Sequence, residues 1–148
     1  MIKIICVGKL KEKYLKDAVL EYSKRISKYS KLEIIELPDY NFDEVKTLHE
    51  EGNNILSKIT DKDYVITLEI EGNNFTSPEF SNFISKNISK NIVFVIGGSY
   101  GLSDDVKKRS NYKLSFSKMT FPHQLFRILL LEQIYRSFKI LNNESYHK

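Results

Sequence analysis

The sequence predicts an α/β fold: a mostly parallel open sheet with helices on both faces. Three observations carry this. Short, β-branched apolar runs alternate with helix-spaced apolar stretches from one end of the chain to the other. Two runs in the last third, Asn91–Ile96 and Tyr112–Phe116, each end in a loop that precedes a helix. Those loops are glycine-rich (Gly97-Gly98-Ser99-Tyr100-Gly101) or crowded (Ser117-Lys118-Met119-Thr120-Phe121-Pro122-His123). In an open α/β sheet, loops at the carboxyl ends of neighbouring strands face one crevice, and ligands bind there.

Ile2–Val7 is the first strand. Leu15, Ala18, Val19, Tyr22 and Ile26 then recur at helical spacing between Lys and Glu. Leu32–Leu37 is a second strand, stopped by Pro38-Asp39. Asn41 and Glu44 have the spacing of a capping pair for the next helix. Its expected inner face is Val45, Leu48, Gly52, Ile55, Leu56 and Ile59, with Gly52 there for close packing. Tyr64–Ile70 is the third strand and Glu71-Gly72-Asn73-Asn74 a turn. Thr76-Ser77-Pro78-Glu79 carries a capping box with proline in the first turn, opening a helix over about residues 78–86. After the glycine loop, Ser103 can cap a short helix, with Asp104 and Asp105 favourably placed in its first turn.

The last helix is predicted from about Pro122 to Leu141. Its apolar residues cover most of the wheel, and only the arc of Glu132, Arg136 and Lys139 is consistently polar. Such a helix is buried on more than one side. One side covers the sheet; a second copy of the chain is the natural cover for the other, giving a two-fold homodimer.

A chain of 148 residues has the size of one domain, and residues 1–148 carry no repeat, linker or low-complexity segment. No apolar run reaches the roughly 18–20 residues that cross a bilayer, and the opening run is too short for a signal peptide. Cys6 is the single cysteine. It reads as a buried thiol, as expected of a cytoplasmic protein. The net charge of +4 is unevenly spread: residues 1–31 carry 9 basic and 3 acidic side chains, residues 32–98 carry 5 and 12, and residues 99–148 carry 9 and 4. Folded onto one face, the basic ends would attract phosphate; spread out, they form an ordinary solvated surface. Lys9, Lys11, Lys13, Lys16, Lys107, Lys108, Arg109 and Lys113 are the candidate phosphate contacts.

Several chemistries find little support. Gly97-Gly98-x-x-Gly101 allows close backbone approach to a ligand, and equally suits a plain tight turn. It is neither a dinucleotide fingerprint nor a P-loop. His49, His123 and His147 lack metal-type spacing, so no metal is expected. Gly98-Ser99-Tyr100-Gly101 lacks the spacing of a nucleophile elbow.

Longer motifs are more specific. Ile96-Gly97-Gly98-Ser99-Tyr100-Gly101-Leu102, Leu114 through His123, Arg127, Glu132 through Arg136 and the terminal Tyr146-His147-Lys148 closely resemble the RlmH family, the ribosomal RNA large subunit methyltransferases H of the SPOUT class. Val7 through Lys11 and Thr67-Leu68-Glu69 extend the resemblance over essentially the whole chain. It implies a SPOUT-type α/β knot, in which the C-terminal chain threads a loop to make a trefoil knot, and a homodimer. It implies methyl transfer from S-adenosyl-L-methionine to N3 of a pseudouridine in helix 69 of 23S rRNA, at the family's position 1915, on assembled 70S ribosomes. The competing readings are a SPOUT methyltransferase for another rRNA or tRNA site, and a non-catalytic ribosome-binding factor.

By the same resemblance the cofactor contacts fall on Leu68, Gly97, Phe116, Ser117, Lys118, Met119, Thr120 and Phe121. Adenine needs a flat apolar slot, which Leu68, Met119 and Phe121 can help to form. The imide N3 of pseudouridine is protonated at neutral pH, so a group must take that proton or stabilise the anion. His123, Arg136, Tyr146 and His147 are the catalytic candidates. Arg136 also stands four residues from Glu132, the spacing of an ordinary helical ion pair.

Overall fold

The computed structural model describes residues 1–148. Five strands form one sheet: β1 (Ile2–Val7), β2 (Leu32–Leu37), β3 (Asp63–Asn73), β4 (Asn91–Ile96) and β5 (Tyr112–Leu114). Their order is β2-β1-β4-β3-β5, with every neighbouring pair parallel. The helices are α1 (Lys13–Ile26), α2 (Glu44–Ser57), α3 (Ser77–Asn87), α4 (Asp104–Arg109) and α5 (His123–Leu141). No helix is long and apolar enough to cross a membrane.

The strands alternate between two cores, as a sheet covered on both faces requires. Ile2, Ile4, Cys6, Ile66, Ile92, Phe94 and Ile96 join Leu130, Leu131, Ile134 and Phe138 of α5 on one face, where α1 and α3 also pack against α5. Ile5, Val7, Val65, Val93 and Val95 meet Ile55 of α2 and Val106 of α4 on the other. Cys6 is fully buried, and burial pushes its thiol up to about 11.

Local signals explain most boundaries. Thr76 and Glu79 close the expected capping box, and Ser103 accepts from the Val106 amide. A Cβ on Gly52 would lie 2.4 Å from Ser103 Oγ, so glycine lets α2 pack flush against the start of α4. Elsewhere tertiary contacts override the local reading. The cap of α2 is Asp43, not Asn41: its carboxylate accepts from the Lys46 amide. The helix is rotated accordingly. Val45 is 80% exposed, while Thr47 and Glu51 turn inward with Gly52 and Ile55. β3 runs on through the expected turn to Asn73, because Asn73 pairs with Leu114 after an irregularity following Leu68. β5 stops at Leu114, two residues early.

At that edge two backbones cross closely. A Cβ on Gly72 would meet the Lys113 and Leu114 backbone at 2.8 Å. The Ser115 amide donates to Asn73 O (2.9 Å), and Asn74 Nδ2 donates to Ser115 O (2.9 Å).

A buried arginine ties α5 to the far side of the sheet. Arg127 is 1% exposed; its guanidinium pairs with Glu36 at the end of β2 and donates to Gly8 O (3.1 Å) beyond β1. Glu36 also accepts from the Leu10 amide (2.9 Å). Replacing Glu36 by alanine strands a buried cation, and we expect a loss of about 3–5 kcal/mol in urea unfolding. Arg127→Met, which removes the buried charge and leaves the partly exposed carboxylate, should cost less.

Candidate functional site

The carboxyl ends of β3, β4 and β5 enclose one open cleft. Its walls are Leu68, Glu69 and Ile70, then Ile96, Gly97, Gly98 and Gly101 after β4, and the segment from Leu114 to Phe121 apart from Lys118, with His123 and Phe126 of α5. The two loops singled out by the sequence are thus brought together. Glycine at 97 is required sterically: a Cβ there would lie 2.5 Å from Gly101 O. Gly101 has φ +79°, a conformation glycine adopts freely. Ser117 Oγ accepts from the Met119 amide (3.0 Å), and Ser115 Oγ donates to Ser117 O (3.0 Å), which fixes the crowded loop. Phe116 packs on Phe126 with ring centroids 4.9 Å apart.

Of the expected cofactor residues, Leu68, Gly97, Phe116, Ser117, Met119, Thr120 and Phe121 all line this cleft. Lys118 is exposed on the same loop and lies outside the wall. Met119 is 74% exposed, which puts it at the rim. The wall suits an adenosyl group: an apolar slot, bare backbone at Gly97 and Gly98, and one carboxylate, Glu69. In the sequence Glu69 carries no signal of a site residue, being one more acid at a strand end.

The four catalytic candidates fall into two places. His123 lines the cleft, and its Nε2 lies 3.5 Å from where a Cβ on Gly8 would be. Arg136, Tyr146 and His147 gather on the other half of α5, on the order of 20 Å further along the helix. There Arg136 forms the helical ion pair with Glu132 (2.9 Å), meets His147 Nδ1 at 2.9 Å and lies over the Tyr146 ring at 4.8 Å. The Tyr146 hydroxyl donates to Glu132 Oε2 (2.8 Å), and burial together with that carboxylate pushes the phenol well above its usual range. The tail is held at its base: Tyr29 donates to Glu144 (2.6 Å), which also pairs with Lys139 (3.0 Å).

Among the candidate phosphate contacts, Arg109 is engaged internally. Its guanidinium donates to Thr60 O (2.8 Å), Asp63 O (3.0 Å) and Asn111 (3.0 Å). No group of three or more His, Cys, Asp or Glu side chains converges as a metal cluster.

Burial, reinforced by Arg127 and opposed by Asp39, holds the His123 imidazole below its ordinary value. The folded protein therefore takes up this proton less readily than the unfolded chain. The associated stability is complete above the ordinary histidine range and is lost as pH falls through the depressed value. Unfolding measured from about pH 7 to about pH 5 should show a shallower loss of stability in His123→Asn than in the parent.

A family model described as "Predicted SPOUT methyltransferase" matches residues 1–147. The ribosomal RNA large subunit methyltransferase H 1 of Clostridium perfringens (strain SM101 / Type A) is 57% identical, over 99% of this chain and 99% of that protein. The proteins named ribosomal RNA large subunit methyltransferase H in Clostridium acetobutylicum and Clostridium tetani are also 57% identical, with the same coverage of both chains. A cleft framed by these two loops, in a parallel five-stranded sheet, sits in a chain that belongs to the SPOUT methyltransferase family, among the ribosomal RNA large subunit methyltransferases H.

Proposed function

We propose that this methyltransferase uses S-adenosyl-L-methionine to methylate N3 of a pseudouridine in helix 69 of 23S rRNA, on the assembled 70S ribosome in the cytoplasm. Residues 1–148 act as a single SPOUT methyltransferase domain. The observation that carries the reading is the meeting of the Gly97–Gly101 loop and the Phe116–Phe121 loop in one cleft. The names of the relatives support ribosomal RNA as the substrate class.

Leu68, Gly97, Phe116, Ser117, Met119, Thr120 and Phe121 would hold the cofactor, with Lys118 at the exposed side of the loop. When bound, it supplies an electrophilic methyl carbon carried on a sulfonium. The chain's own task is to align the nucleophilic nitrogen and manage its proton. His123, with its imidazole held toward the neutral form, can accept a proton at the cleft. Arg136 can steady the anionic base or a phosphate. Tyr146 and His147 complete the set on the ordered tail.

These groups are too far from His123 to act in one protomer's cleft, which supports a homodimer whose tail reaches the partner's cleft. The apolar surface on α5 supports it too: Leu125 is 39% exposed, and Ile128 and Leu129 remain half-buried. The close crossing of residues 72–74 and 113–115 supports a threaded C-terminal segment, the trefoil knot of the SPOUT class.

Tritiated S-adenosyl-L-methionine offered with 70S ribosomes, free 23S rRNA, isolated subunits and tRNA tests the substrate. We expect label on 70S ribosomes alone, and at one helix 69 pseudouridine by mass spectrometry; label only on tRNA would overturn the assignment. Deleting residues 146–148 should leave cofactor affinity by calorimetry unchanged and lower ribosome methylation at least a hundredfold, of the order expected when acid–base groups are removed. Near-parental turnover by the truncated protein would remove the tail from the mechanism.

A further inference from the structure

We propose that Glu69 is an additional cofactor-binding residue, whose carboxylate accepts hydrogen bonds from the ribose hydroxyls of the adenosyl group. The inference rests on the reading above that the cleft holds S-adenosyl-L-methionine.

Glu69 is the sole acidic side chain in the cleft wall. It is fastened from behind. Thr67 Oγ1 donates to Glu69 Oε2 at 2.6 Å. Thr67 is itself fully buried, and with its one proton given to Glu69 its hydroxyl oxygen accepts from Ser110 Oγ at 2.8 Å. Two layers of hydroxyls, from β3 and from the end of α4, therefore fix this carboxylate in one orientation. That is how a binding group is held for a ligand. Oε2 is engaged by Thr67, whereas no side-chain hydrogen bond or ion pair engages Oε1. The residue is only partly buried, so the free oxygen carries no large desolvation cost before a ligand arrives.

Position selects the ligand group. Leu68, the neighbouring residue, belongs to the apolar slot that suits adenine; successive strand side chains point to opposite faces, so Glu69 shares its face with Thr67 and reaches the cleft beside that slot. The group bonded directly to adenine is ribose; the sulfonium and the amino-acid portion lie further along. A carboxylate in the same cleft wall, beside the apolar slot, is thus placed for the sugar diol. The arrangement follows a general solution of open α/β sheets, an acid near a strand's carboxyl end that binds ribose hydroxyls. Hydrogen bonds from hydroxyls to an ionised carboxylate are about twice as strong as neutral ones. The pairing of β3 with β5 shifts register between Leu68 and Asn73, so Glu69 lies where the ladder with β5 is interrupted.

The test is calorimetric binding to the full-length protein. Three ligands are compared: S-adenosyl-L-methionine, S-adenosylhomocysteine, and the 2′-deoxy form of the latter. Glu69→Gln should weaken the first two alike, by about ten- to a hundredfold. The deoxy ligand keeps only the 3′-hydroxyl, so the loss of its affinity between parent and Glu69→Gln should be clearly smaller than the loss for S-adenosylhomocysteine. Thr67→Val keeps the carboxylate but frees it, and should give a loss of a few-fold in the same pattern. Equal S-adenosylhomocysteine affinity in parent and Glu69→Gln, with an unchanged melting temperature, would overturn the proposal. A loss confined to S-adenosyl-L-methionine would also overturn it, by assigning Glu69 to the cation instead of the sugar. Should the parent protein bind neither natural ligand, the cofactor reading itself fails; that result is distinct from a parent that binds and a variant that binds equally.

Discussion

The architecture depends on one buried cation. Arg127 stands one turn into α5 from His123, and its guanidinium reaches across to Glu36 and the Gly8 carbonyl. A buried guanidinium is tolerated where its charge is paired and hydrogen-bonded; here Nη1 meets Glu36 and Nη2 donates to Gly8 O, while Nε has no partner. Those requirements fix the start of α5 over the carboxyl ends of β1 and β2. With the helix start fixed, His123 is set above Gly8, and the loop leading into the helix is drawn across the mouth of the cleft. Gly8 itself has φ +97°, so the turn that presents its carbonyl is one that side-chain-bearing residues rarely make.

Helix α5 joins two chemically different ends. Its first turn belongs to the cofactor cleft, while its last turns carry the Glu132–Arg136–Tyr146–His147 group. Between them Leu130, Leu131, Ile134 and Phe138 are buried against the sheet and against α1 and α3. The helix therefore serves as the structural spine and as a rigid spacer. The tail does not wander from it, because Glu144 is gripped by Tyr29 of the α1–β2 connection and by Lys139 of α5.

The fold was largely legible because the strands alternate and their runs are bounded by strong turn residues. The glycine loop and the Phe116–Phe121 loop could be paired from the rule that ligands gather at strand ends. What failed to show was set by tertiary contact. Asn41 and Asp43 are both good caps, and only the hydrogen bond to Lys46 distinguishes them. Glu51 looks like a surface acid but is 3% exposed, because α2 turns it toward Tyr40 and the glycine loop. Arg127 looks like a polar break in an apolar helix until Glu36, 91 residues earlier, is brought beside it. Glu69 is bonded by Thr67, only two residues earlier; what the sequence does not display is the cleft that the loops after β4 and β5 build in front of it.

Cys6 sits in β1, an inner strand of the sheet, with no exposed surface and a thiol poorly disposed to ionise. A thiol needs its thiolate form and an open path to react. Neither exists until β1 parts from both β2 and β4. The lone sulfur is thus a built-in clock: alkylating reagents added to the native molecule will record how often the whole sheet comes apart, without a label having to be introduced.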